Sequence, residues 1–140
     1  MTASLEPSFT AASALAAARA HPLSRKKAML AALLLDAAAD ACFAQSGDDD
    51  ILAFRAGLAE ASPTLALLFA LCALDPAGPH LVTEPVEVPL SDYGALRVED
   101  FMVSLYNAHT VQRVRIATPD GGRHDVHAVL AEALAALAAR

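Results

Sequence analysis

Up to about residue 78 the apolar residues recur three and four positions apart; beyond Pro79 they alternate with polar ones in short segments bounded by Pro, Gly and Asp. A period of 3.6 marks helices and a period of 2 marks half-buried strands. The pattern therefore predicts an α+β fold: an N-terminal four-helix part packed on a small antiparallel sheet, with a C-terminal helix. The helical part takes in about residues 8–78 and the mixed part about 80–140 of a single domain, 1–140. Asp75-Pro76-Ala77-Gly78-Pro79 is the joint, because the mixed part alone is near the lower size limit for a core of its own.

Within the helical part, Ser8 or Thr10 is placed to cap a short first helix ending before His21-Pro22, since a residue preceding proline is pushed out of helical geometry. A second helix begins near Ser24 and is stopped by Gly47, with Leu30, Leu33, Leu34, Ala37 and Ala41 as its apolar stripe. Asp48, Asp49 and Asp50 lead a third helix carrying Ile51, Leu52, Phe54, Leu58 and Ala59, where acids suit the positive helix end. Ser62-Pro63 caps a fourth that runs through Leu74; apolar all round, it belongs at the bundle centre.

In the mixed part, Val86, Val88 and Leu90 alternate with Pro85, Glu87 and Pro89 over 81–90, a strand that its prolines confine to a sheet edge. Val98, Phe101, Met102 and Leu105 have helical spacing and predict a short helix over 98–107, although Phe101, Val103 and Leu105 also fit a strand. From Gln112 to Ala117, Val114 and Ile116 share one strand face and Arg113 and Arg115 the other. Thr118-Pro119-Asp120-Gly121-Gly122 turns the chain into a short strand around Arg123 to Val126. Asp125 then caps a final helix with a stripe of Val126, Val129, Leu130, Ala133, Leu134 and Leu137, predicted to pack across the sheet. The opposite alanine face, Ala128, Ala131, Ala135 and Ala138, is expected to meet another helix in the bundle or in a second subunit.

Composition narrows the function classes. A net charge of −6 and a pI near 5.2 make nucleic acid an improbable partner, because phosphate binding needs a concentrated basic face and aromatic stacking platforms amount to only 5% of residues. The longest strongly apolar run, Leu65 to Leu74, is too short to span a bilayer, which takes about 20 residues. The start of the chain has Glu6 where an export signal is basic, so the expected location is the cytoplasm, with no membrane partner. Cys42 and Cys72 lie in apolar helical runs and read as buried free thiols.

No stretch has the motif of a nucleophilic enzyme, a phosphate loop or a dinucleotide site, and no catalytic residue or cofactor is assigned. The reading leans away from an enzyme. Arg25, Lys26 and Lys27 oppose the helix dipole in a first turn, which reads as a solvated end before an anion site. Asp36 and Asp40, one turn apart, are expected to pair with Arg55 or a lysine. His109, His124 and His127 lack metal-ligand spacing, so no metal is assigned.

The densest polar cluster is Tyr106, Asn107, His109, Gln112, Arg113 and Arg115, with Arg123 across the hairpin. Two arginines on one strand face can clamp a carboxylate or phosphate, unless Glu87 or Asp125 neutralises them across the sheet. The leading expectation is a non-enzymatic module that binds a protein partner or itself. The alternative is a small anionic-ligand-binding or metabolite-processing protein using Tyr106, Asn107, His109, Arg113, Arg115 and Arg123.

Overall fold

The computed structural model describes residues 7–87 and 110–139. Among them are five helices and a three-stranded antiparallel sheet, in the predicted α+β arrangement: α1 (Pro7–Ala20), α2 (Arg25–Ser46), α3 (Ile51–Ala61), α4 (Pro63–Cys72), β1 (His80–Glu87), β2 (Thr110–Ala117), β3 (Arg123–Asp125) and α5 (Val126–Ala138). The helix or strand expected over 98–107 lies outside the described residues, as do Val88 and Leu90.

Local chemistry sets most boundaries. The Ser24 side chain accepts from Lys27 N at 3.1 Å to open α2, and Gly47 closes it in the left-handed region at φ 83°. Asp50 is the N-cap of α3, accepting from Leu52 N and Ala53 N, so Asp48 and Asp49 precede the helix and do not form its first turn. Ser62 ends α3 and caps α4 with Pro63 at the first helical position. Asp125 caps α5 through Ala128 N at 3.0 Å.

Three boundaries depart from expectation. α1 is already helical at Pro7, the first described residue, so Ser8 and Thr10 lie inside the helix and do not cap it. α4 ends at Cys72, and Leu74 turns left-handed at φ 57° with 65% of its surface exposed. Val126 belongs to α5, leaving β3 three residues long.

The core is where the expected helix faces are corrected. On α2 the buried residues are Ala28, Ala31, Ala32, Leu35, Ala38 and Ala39, whereas Leu30 and Leu33 are 53% and 39% exposed. Ala37, expected in the same stripe, is exposed too. The cause lies in α1, which presents Ala11, Ala14, Leu15 and Ala18 to the core and packs along α2. Two alanine faces allow close backbone approach and leave no room for a leucine stripe between them.

α5 buries Val126, Val129, Leu130, Ala133 and Leu137 as its pattern predicts. It packs mainly on α1, α2 and α4 and, among the described residues, meets the sheet chiefly at β2 and β3, so it is a bundle helix more than a cover for the sheet. Its alanine face is mostly in solvent, with Ala128, Ala135 and Ala138 exposed; the helices of the bundle meet the leucine and valine stripe instead. Thr64 Oγ1 donates to Glu132 Oε2 at 2.8 Å, tying α4 to α5.

The sheet has the order β1-β2-β3, so β1, with Pro85 in it, lies at an edge of this three-stranded sheet. Register pairs Val82 with Arg115, Glu84 with Arg113, Leu81 with Ile116 and Thr83 with Val114. Opposed residues share a face, so Leu81, Val114 and Ile116 turn toward the core while Glu84, Arg113 and Arg115 occupy the other face. The β2–β3 turn closes with Gly121 at φ 90° and with two backbone bonds of 3.0 Å, from Thr118 N to Gly122 O and from Gly121 N to Thr118 O.

Candidate functional site

Of the polar cluster read from the sequence, Tyr106, Asn107 and His109 lie outside the described residues, and Arg113, Arg115 and Arg123 are brought near one another by β2 and β3. What joins two of these is Glu84 of β1. Its carboxylate lies 3.3 Å from Arg115 Nη1 and 3.4 Å from Arg123 Nε. Arg115 also donates to Arg123 O at 3.1 Å, Arg123 to Gly122 O at 3.0 Å, and Arg113 to Gln112 O at 2.9 Å.

For Arg115 the neutralising acid is thus Glu84, in place of the expected Glu87 or Asp125. Glu87 pairs in register with Thr110, the last described pair of the ladder, and the Asp125 carboxylate is engaged as the α5 cap. Sequence could have pointed to Glu84, which precedes Pro85 by one position and alternates in phase with Val82 and Val86. An anion entering here must displace a carboxylate already shared by two guanidinium groups.

In the bundle, Arg55, Asp36 and Asp40 are similarly committed. Arg55 hydrogen-bonds Asp36, reaches Asp40 Oδ1 at 2.9 Å, and lays its guanidinium 4.1 Å from the centre of the Phe69 ring. Burial lowers its pKa, but the hydrogen bonds and charges of the two aspartates outweigh that and raise it. The expected pairing is therefore present, and it pins α3 to α2 and α4.

Cys42 and Cys72 are free thiols, each half-buried. Cys72 donates to Ala32 O at 3.3 Å, and its pKa is pushed up to about 12, mostly by burial and secondarily by Asp36, with Arg55 opposing. A thiol held neutral in this way is a packing group with no nucleophilic character near neutral pH. Among the described residues no group of three His, Cys, Asp or Glu side chains is arranged to hold a metal. His127 Nε2 sits 3.1 Å from Pro22 O, fastening the start of α5 to the α1–α2 connection, while His124 is on the exposed β3.

Two surfaces remain uncommitted. The first is an open cavity of about 550 Å³ between the first turn of α2, the end of α4 and the start of β1, with Met29, Leu71, Leu74 and Leu81 as apolar wall and Arg25 and Lys26 at its rim. Neither cation has an ion-pair partner among the described residues. Asp75, also at the cavity, is occupied in the turn, where its carboxylate accepts from Ala77 N at 3.0 Å.

The second is the outer face of α2. Leu30, Leu34, Ala37, Ala41 and Ala44 succeed one another at spacings of four, three, four and three along it, with Leu33 beside them; Leu30, Leu33, Ala37 and Ala44 are exposed, Ala41 is half-buried, and Leu34 at the margin packs partly against the core. Its 22 residues make it long and apolar enough, by length and composition, to cross a membrane, which corrects the choice of Leu65 to Leu74 as the limiting apolar segment. One side of it is packed in the bundle, and its outer flank carries the Asp36 and Asp40 pair with Arg55.

No family model, no curated protein and no solved structure matches the chain.

Proposed function

We propose that this protein is a non-enzymatic interaction module that works through the outer face of α2. The observation that carries this reading is the inversion of that helix, with alanines in the core and Leu30 and Leu33 in solvent. Single exposed leucines are ordinary on protein surfaces, but a heptad-spaced row on one helix is the form in which helices recognise other helices. Leu23, Ile51, Leu52 and Leu74 are exposed as well, but α2 is the element that carries two exposed leucines within one turn.

The test is a photoreactive amino acid placed at position 30 or 33 of the full chain in living cells. Irradiation is expected to give a heavier adduct from these positions and none from exposed Ala12 or Ala128. Absence of any adduct at 30 and 33, or equal yields at Ala128, overturns the reading.

The cavity beside Arg25 favours a second reading, the binding of a small anion with an apolar body. Its volume lies within the usual few-hundred-Å³ range of ligand sites, and its wall and rim match a carboxylate on an alkyl chain. Titration with octanoate is expected to raise the melting temperature, octan-1-ol to do so less, and Arg25→Ala/Lys26→Ala to remove the difference. Equal shifts with both compounds, or none, would reject it.

A further inference from the structure

Resting on the interaction reading, we infer that the partner of the α2 face is a second copy of this chain, bound antiparallel about a two-fold axis at Ala37. The two ends of α2 differ in charge. α2 begins with Arg25, Lys26 and Lys27 and is succeeded, past Gly47, by Asp48, Asp49 and Asp50. One end is a cluster of cations and the other a cluster of anions. A parallel partner sets like on like at both ends, while an antiparallel copy sets opposite charges together twice over.

Size leads to the same arrangement. Large residues occupy the first half of the face, Leu30, Leu33 and Leu34, and small ones the second half, Ala41 and Ala44, with Ala37 between. Paired with itself in parallel, the face sets leucine on leucine at one end and leaves a gap between alanines at the other. Turned antiparallel about Ala37, it brings Leu30 opposite Ala44 and Leu33 opposite Ala41, so a large residue meets a small one at both places. The antiparallel arrangement also brings the cationic first turn of each α2 toward the acidic Asp48 to Asp50 connection that follows Gly47 in the other copy.

A two-fold contact of this kind is isologous and closed, so it ends at a dimer. The helix is roughly 33 Å long at 1.5 Å per residue, and a single helix pair is at the small end of specific interfaces. Micromolar self-association is therefore the expected strength. The charged ends act on register and orientation, and the leucines on affinity.

The experiment is sedimentation equilibrium of the purified full chain with three sets of variants. Wild type is expected to dimerise in the micromolar range and Leu30→Lys/Leu33→Lys to be monomeric. Both leucines lie outside the core, so that variant should retain the wild-type melting temperature, which separates lost contact from lost fold. Lys26→Glu/Lys27→Glu and Asp48→Lys/Asp49→Lys are each expected to weaken the dimer about tenfold, and the two sets combined to restore it. Asp50 is left in place because it caps α3. Ala37→Cys should form a disulfide-linked dimer on mild oxidation that wild type, with Cys42 and Cys72 alone, does not form.

A monomer at high micromolar concentration, or a dimer indifferent to the leucine and charge variants, overturns the inference. A photo-adduct from position 30 containing only a different protein also overturns it, yet leaves the interaction reading standing. No adduct at all removes both.

Discussion

Arg55 ties three helices together. It belongs to α3, yet its contacts are the carboxylates of Asp36 and Asp40 on α2 and the ring of Phe69 on α4. Removing it leaves two aspartates one turn apart without a counter-charge and uncovers an aromatic face. Arg55→Ala is expected to cost about 2 kcal/mol by urea denaturation. Arg55→Lys should recover only part of this, because an ammonium cannot span both carboxylates as a guanidinium fork does. Cys72 lies close to the same network, and its pKa rises from 9.0 to about 12. A thiol whose folded pKa is raised contributes stability that is intact below the unfolded value and lost as pH climbs toward the folded one. Stability should therefore fall through pH 9.0 to 12 by less in Cys72→Ala than in wild type, as tracked by denaturant midpoints. Labelling of Cys72 at about pH 8 should likewise wait for unfolding.

At the scale of the element, α2 separates what a pattern reveals from what it conceals. Its boundaries were legible, since Ser24 and Gly47 act through local backbone chemistry that needs no knowledge of neighbours. The same holds for Ser62-Pro63, Asp125 and the turn at Gly121. Its buried face was not legible, because the helix has two apolar stripes and hydrophobicity alone favours the leucines. The choice falls to α1, whose own small residues let the backbones approach and select alanine. Leu35→Ala should then cost about 3 kcal/mol, as expected for a fully buried leucine, whereas Leu30→Ala should lie within about 0.5 kcal/mol of wild type. Ala32→Leu, at a position with no exposed surface, should destabilise by about 1–3 kcal/mol through overpacking. Equal costs for Leu30 and Leu35 in the same denaturation series would mean that the face assignment is inverted.

Over the whole molecule, the candidate site was less readable than the fold because it depends on which charges meet across elements distant in sequence. Arg115 and Arg123 were identifiable as neighbours from the hairpin, but the acid that ties them comes from β1, thirty-nine positions before Arg123. Likewise the cavity at Arg25 is assembled from α2, α4 and β1, and no local motif records that meeting. The same long-range assembly makes stability uneven. α1, α2, α4 and α5 share one contiguous core, while α3 contributes to it only Leu58 as a fully buried side chain, with Phe54 packed partly against it. Ile51 and Leu52 at its start are in solvent, so its attachment relies on Leu58, Phe54 and the Arg55 ion pairs. Regions with few buried apolar contacts open first, and opening α3 exposes little of the shared core. Native-state hydrogen exchange should therefore show the amides of Phe54 to Ala61 exchanging at least about tenfold faster than those of Leu35 to Ala39 and Leu130 to Ala133. Arg55→Ala should widen that gap by speeding α3 alone. Uniform protection across all the helices would mean that α3 opens only with the whole bundle, and that its few anchors are coupled to the core more tightly than their burial implies.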